Sequence, residues 1–193
     1  MFIRTERLFL RPGWPEDFEE LIEMLGDDPI LGEELPDETI ASIRDYLGRQ
    51  RDPRLPLLFI YFRSAVGAVL VGGIGLAMRG DDVELDFFIA PRFRGKGFAA
   101  EAVRGLLEHA HALGHRRLTA TNVLATDSCA GQVLERAGFR PTGKTRRRMV
   151  SGFEGEVEAP IYAAEVAALA PVTGSGATGS QAGKARPEGL ACH

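Results

Sequence analysis

Apolar and polar positions change period several times along this chain, and each change marks an element. Arg7-Leu8-Phe9-Leu10-Arg11 alternates and then meets Pro12-Gly13, which predicts a first strand closed by a turn. Behind Pro15, a residue suited to a first helical position, Phe18, Leu21, Ile22 and Leu25 recur at helical spacing until Gly26. A second helix is predicted after Pro36, on Ile40, Ile43 and Leu47. Leu57 to Phe62 is a continuous apolar run, expected as a buried strand, and Ser64-Ala65-Val66-Gly67 turns it. Ala68 to Met78 forms the next strand, with Gly72, Gly73 and Gly75 inside it; such glycines predict a bulge or a close approach of another group.

The middle of the chain holds the most informative stretch, Val83 to Gly105. Val83, Leu85, Phe87, Phe88 and Ile89 are strand-type residues stopped by Pro91, and Arg94-Gly95-Lys96-Gly97 makes a tight loop. From Phe98 the period becomes helical, with Ala99, Ala102, Val103, Leu106, Leu107 and Ala110 on one side, until Gly114. Arg117 to Val123 reads as a strand. Asp127 or Ser128 caps a short helix running through Arg136, with Gly138 at its end. Phe139 begins a strand that runs through Arg148, and Val157 to Val166 pairs back on it as the last strand.

The resulting order is β-α-α-β-β-β-α-β-α-β-β. Hairpins mix with crossovers, which predicts an α+β fold: a mixed, mostly antiparallel central sheet flanked by helices, not a doubly wound nucleotide fold. The expected domain spans residues 1–168. From Pro171 the chain is rich in Gly, Ala, Ser and Thr without a period, so 169–193 is expected to be a disordered tail.

Composition narrows the function. The 193 residues are enough for one domain with a sizeable core, and 45% hydrophobic with 26% charged residues is ordinary for a soluble globular protein. A formal net charge of −4 does not suggest a general nucleic-acid binder. Cys129 and Cys192 give no disulfide framework, and His109, His111, His115 and His193 show no zinc spacing, so no metal is expected. No apolar run is long enough to span a membrane, and the charged N-terminus is not a signal peptide. The expected location is the reducing cytoplasm. Acidic residues crowd Glu16 to Glu38; they are either a solvated face or a rim that attracts a cationic acceptor.

The loop from Arg94 to Gly97 carries the chemistry. Amides that converge at a helix N-terminus bind anions, and glycine lets a phosphate approach the backbone because no Cβ intervenes. A P-loop hydrolase is excluded because Phe98 stands where Ser or Thr would follow Gly-Lys.

Three segments together resemble the GNAT superfamily of acetyl-CoA-dependent N-acetyltransferases, and most of all its ribosomal-protein N-terminal (alanine) acetyltransferase branch. Thr5–Leu21 is similar to that branch's N-terminal strand and helix. Ile89–Val103 is similar to the acetyl-CoA motif, read here as Arg94, Gly97 and Ala99, with Arg92, Gly95 and Gly97 as a second frame. Asp127–Phe139 is similar to the family's segment ending in Gly-Phe. The resemblance covers about residues 3–166.

That resemblance implies acetyl transfer from acetyl-CoA, as cosubstrate, to a primary amine by direct attack. The acceptor would be a protein N-terminus or a small amine. It implies that the pyrophosphate of CoA rests on Gly95, Lys96, Gly97, Phe98, Ala99 and Ala100, flanked by Arg94. The pantetheine arm would lie along Phe87, Phe88 and Ile89, where a backbone N–H would polarise the thioester carbonyl. Phe87 and Phe88 cannot share one environment, because neighbouring strand residues face opposite ways. Glu84 is the candidate base, against the alternative of a plain strand carboxylate. Asp127 holds the slot where the family often has a cofactor-contacting Asn. The chain departs from the family at Ala130, Leu134 and Asn122, where Ser, Tyr and Glu are frequent, so the usual proton donor is not visible. Ser128 is the candidate substitute, or a helix cap. Cys129 is read as packing. The basic run Lys144, Arg146, Arg147 and Arg148 is a solvated strand or a contact for the 3′-phosphate of CoA or for RNA. A CoA-binding module with little turnover is the alternative function, and a homodimer stays open.

Overall fold

A computed structural model describes residues 1–26, 41, 44, 47, 52–121, 128–149 and 156–166. Eight strands form one sheet in the order β1-β2-β3-β4-β5-β6-β8-β7. They are β1 (Ile3–Arg4), β2 (Leu8–Pro12), β3 (Leu57–Ser64), β4 (Gly67–Arg79), β5 (Asp82–Ile89), β6 (Arg117–Thr121), β7 (Arg140–Met149) and β8 (Glu156–Glu165). Among the described residues, the helices with full bounds are α1 (Phe18–Gly26), α2 (Phe98–Ala110) and α3 (Ser128–Arg136). Every strand pair is antiparallel except β5 with β6. The mixed, mostly antiparallel sheet predicted from the alternation is the one observed.

Local chemistry explains most boundaries. Thr5 ties off the β1–β2 hairpin, its N–H donating to Leu8 O at 3.1 Å and its hydroxyl accepting from Leu8 N–H at 3.0 Å. This two-residue first strand was not legible in the sequence, because Ile3-Arg4 is too short to show a period. Pro15–Asp17 forms a 3-10 turn ahead of α1, and Pro91–Phe93 forms another between β5 and the glycine loop. α2 ends at Ala110, and a turn carries the chain to Gly114, which has φ +90°. The helix expected around Ile40 to Leu47 lies mostly outside the described residues, as do Asn122, Asp127, 150–155 and the tail from 167.

The sheet separates two apolar cores. Leu85 and Ile89 of β5 join Ile60, Ile74, Phe98, Val103 and Leu106 in the larger core under α2, against which Phe87 packs. On the opposite face, Phe59, Tyr61 and Leu70 pack with Leu21 and Met24 of α1, and Phe88 joins them. The neighbouring Phe87 and Phe88 thus serve different cores, as strand alternation requires.

The predicted glycine irregularity sits in β4. Ile60 pairs with Gly72 and Tyr61 with Leu70, so Val71 is an extra, bulged residue. Val71 O accepts from Ala90 N–H at 2.9 Å, which ends β5 where the loop begins. A Cβ on Gly72 would stand 2.1 Å from Phe88 O, so only glycine lets β4 approach β5 here.

Candidate functional site

β5 and β6 touch at one register position, Glu84 opposite Thr119. Beyond it, Phe87, Phe88 and Ile89 remain paired with Ile74, Gly73 and Gly72 of β4. Among the described residues, no residue of β6 pairs with them on the other side. Residues 122–127, which follow β6, lie outside the described residues. Thr121, the last residue of β6, carries a buried hydroxyl without a hydrogen-bond partner.

The chain then crosses from β5 to α2 through the glycine loop. Gly95 and Gly97 have φ +75° and +80°, a left-handed conformation that disfavours other residues. A Cβ added at Gly95 would meet nothing within 4 Å, so the loop surface is open. Gly97 is the N-cap of α2, and the helix's first backbone bond runs from Glu101 N–H to Gly97 O at 3.2 Å. The N–H groups of Phe98, Ala99 and Ala100 precede that ladder, and the positive end of the helix dipole lies beside them. An anionic ligand fits this cradle.

The flanking side chains are partly committed. Arg94 Nε donates to Ile89 O at 3.0 Å and its guanidinium lies 5.9 Å from the Phe88 ring, so it braces the junction of β5 with the loop. Lys96 is exposed, with Nζ 5.3 Å from the Phe93 ring. Phe98 and Ala100 are buried and anchor the first helical turn.

Glu84, the candidate base, is buried and faces two cations. Its side chain has 0% exposure and is ion-paired with Arg146 and, at 3.2 Å, with Arg148 of β7. Two guanidiniums face this carboxylate, and it is closed off from solvent. The basic run is explained by the same contact. Arg146 and Arg148 turn inward, Arg146 also meeting Asp82 at 3.0 Å, while Lys144 and Arg147 stay exposed. Alternation along β7 separates Arg147 from Arg146 and Arg148, while Lys144 lies in the irregular stretch before the pairing resumes at Thr145.

Asp86 lies two residues further along β5, on the same face as Glu84. Its side chain is 46% exposed, with Arg79 and Arg148 each 3.6 Å away. Burial and the neighbouring Glu84 charge raise its pKa, against the lowering effect of Arg148 and Arg79. The spacing Glu-x-Asp on a strand was the available signal for this pair, but burial of one member and not the other is a property of the fold.

Two of the acidic α1-region residues have internal roles. Asp17 accepts from both Nη atoms of Arg11, each at 2.7 Å, and Glu20 accepts from Leu70 N–H at 3.0 Å. They fasten α1 to the sheet. Ser128 opens α3, its side chain lying outside the description, and Asp127 lies outside the described residues altogether. Leu134, in the slot where the resemblance leads one to look for Tyr, is 1% exposed in the larger core.

The chain belongs to the GNAT acetyltransferase family: the family's acetyltransferase (GNAT) domain matches residues 7–140. The family binds acetyl-CoA and transfers its acetyl group. A search of curated proteins finds no match. Among solved structures, a GNAT-family acetyltransferase from Bacillus anthracis superposes with TM-score 0.68 at 22% identity, covering 86% of this chain and 98% of that one. A proposed ribosomal-protein-serine acetyltransferase from Vibrio cholerae gives 0.64 at 17% identity, covering 86% and 97%. A spermidine N-acetyltransferase chimera from Vibrio cholerae and hSSAT gives 0.66 at 19% identity, covering 83% and 96%. At these identities the likeness establishes the fold.

Proposed function

We propose that this protein transfers the acetyl group of acetyl-CoA to a primary amine, either a protein N-terminus or a small amine such as a polyamine. The observation that carries the proposal is the open, glycine-capped N-terminus of α2 directly after β5. In this reading the loop from Gly95 to Ala100 holds the pyrophosphate and the Phe87–Ile89 main chain holds the pantetheine. The amine nitrogen attacks the thioester carbon, the C–N bond forms, and the C–S bond breaks with the electron pair leaving on sulfur. The amine gives up one proton to a base, and the thiolate is protonated from solvent or a nearby donor.

Asp86 is the carboxylate assigned to that base, through water, because it is accessible where Glu84 is not. Glu84 anchors β7 beside it. An N-terminal amine, with pKa about 7.7–8.0, needs less help than a lysine near 10.4, since only the neutral amine attacks. The two acceptor classes appear among the structural neighbours, one named for a ribosomal protein and one for spermidine. The cytoplasm, where acetyl-CoA and both acceptors occur together, is the proposed location.

The test is a screen of thiol release from acetyl-CoA against peptides with Ala, Ser and Met N-termini, polyamines and aminoglycosides. One class should release thiol in step with acetylated product. CoA binding without thiol release from any acceptor would favour the second reading, a CoA-binding module, which the buried Leu134 in the usual Tyr slot supports.

A further inference from the structure

The N-terminal hairpin reaches across to the glycine loop, and one side chain makes the connection. Arg7 lies within the Thr5–Leu8 turn between β1 and β2. Its Nη1 donates to Lys96 O at 3.0 Å and its Nε donates to Glu101 Oε2 at 2.7 Å. Its guanidinium carbon lies 5.0 Å from the centre of the Phe98 ring, and Nη2 would be 3.4 Å from a Cβ on Gly97. Glu101 holds the arrangement from the helix side: Oε1 accepts from Thr5 Oγ1 at 2.6 Å and from Arg7 N–H at 2.7 Å. Glu101 is 8% exposed. The hairpin is itself pinned from β3, since Arg63 Nη2 donates to Thr5 O at 2.9 Å and to Glu6 O, and Arg63 N–H donates to Arg7 O at 3.0 Å.

These contacts fix one peptide plane. In a trans peptide the carbonyl and the following N–H point in opposite directions, and among the described residues there are no cis bonds. With Lys96 O held toward Arg7, the N–H of Gly97 is aimed away from the hairpin. This plane most needs holding. It lies between Gly95 and Gly97, both at positive φ, and glycine-flanked peptides reorient readily. A binding loop that is already oriented binds more tightly than one that must order on binding.

We propose that Arg7 is a positioning residue for the CoA pyrophosphate: it sets the Lys96–Gly97 peptide plane so that the Gly97 amide joins the N–H groups of α2 in facing the anion. This rests on the reading of that loop as the CoA site. Arg7 acts through the loop backbone, not as a bare charge, so Lys cannot replace it. A single ammonium does not span the Lys96 carbonyl, the Glu101 carboxylate and the Phe98 ring.

Titration calorimetry with CoA and with pantetheine, which lacks the pyrophosphate, tests this on wild type, Arg7→Ala and Arg7→Lys. The expected result is that both variants lose about tenfold or more in CoA affinity while pantetheine binding is unchanged. The Gly97 amide resonance, sharp in the ligand-free wild type, should broaden or shift in Arg7→Lys, which keeps the charge and the fold. Unchanged CoA affinity in a folded variant overturns the proposal, as does full rescue by Lys, which would make Arg7 a point charge. Equal loss for CoA and pantetheine overturns it as well, because a general structural defect has that signature. Failure of the wild type to bind CoA would instead refute the reading of the site itself.

Discussion

Arg148 Nη1 lies 3.2 Å from Glu84 Oε1, joining β7 to β5 although β6 and β8 stand between them in the sheet. The β7–β8 hairpin therefore bends over the face of β5, and the ion pair holds it there. Glu84 is fully buried, and its partners Arg146 and Arg148 have side chains 25% and 20% exposed. Removing the carboxylate leaves two partly buried guanidiniums without their shared counter-ion. Glu84→Ala should lose about 3 kcal/mol of stability, measured by urea unfolding, since an abandoned partner of a buried pair is costly. Glu84→Gln should lose less, because it can still accept hydrogen bonds.

Asp86, not Glu84, should govern the pH dependence of turnover. Asp86→Asn should lower kcat by about 10²-fold or more, in the range usual for loss of a general base. It should also remove the acidic limb of the pH–rate profile. Persistence of that limb in the Asn variant would remove Asp86 from the role.

The same carboxyl has a stability signature. Burial, then the charge of Glu84, raises its folded-state pKa above the ordinary 3.8. The folded state therefore binds this proton more tightly than the unfolded state does, and the Asp86 contribution falls as pH rises from 3.8 through the folded value. Urea unfolding as a function of pH should show Asp86→Asn gaining on the wild type across that window.

Asp17 and Glu101 behave in the opposite sense. The Arg11 hydrogen bonds lower the Asp17 pKa against the effect of burial. At Glu101 burial raises the pKa, but the hydrogen bonds from Thr5 and Arg7 outweigh it and hold the group below 4.5. Their stabilisation is present above the unfolded values of 3.8 and 4.5 and is lost as pH falls through the lower folded values. Asp17→Asn and Glu101→Gln should each flatten the acid limb of the stability curve, read by thermal unfolding below about pH 4.5.

Gly97→Val should fold and bind CoA at least tenfold more weakly in calorimetry. A β-branched residue at φ +80° strains the loop by about 1–3 kcal/mol and brings a side chain against Arg7. Equal CoA affinity in the folded variant would remove the loop from the pyrophosphate.

The readable parts of this protein are those set by neighbours in sequence. Two-residue alternation marked β2, β5 and β8, and the change to a helical period at Phe98 marked α2. The loop was legible because the glycines at 95 and 97 need no distant partner to explain them: their φ values are local. The burial of Glu84 was not legible because composition and spacing look the same for a buried and an exposed strand carboxylate. The roles of Arg7 and Arg146 were unreadable for a related reason. Arg7 and Lys96 are 89 positions apart and Arg146 and Glu84 are 62, and nothing in the local pattern couples them.

The sequence by itself determined most of the elements, the family and the glycine loop, because periodicity, turn chemistry and glycine conformation act over a few residues. Tertiary structure alone decided which charges are used up and which remain available. Desolvation and ion pairing depend on what the folded sheet brings together, so Glu84 became an anchor, Asp86 stayed accessible, and Arg7 came to hold the loop from the other end of the chain.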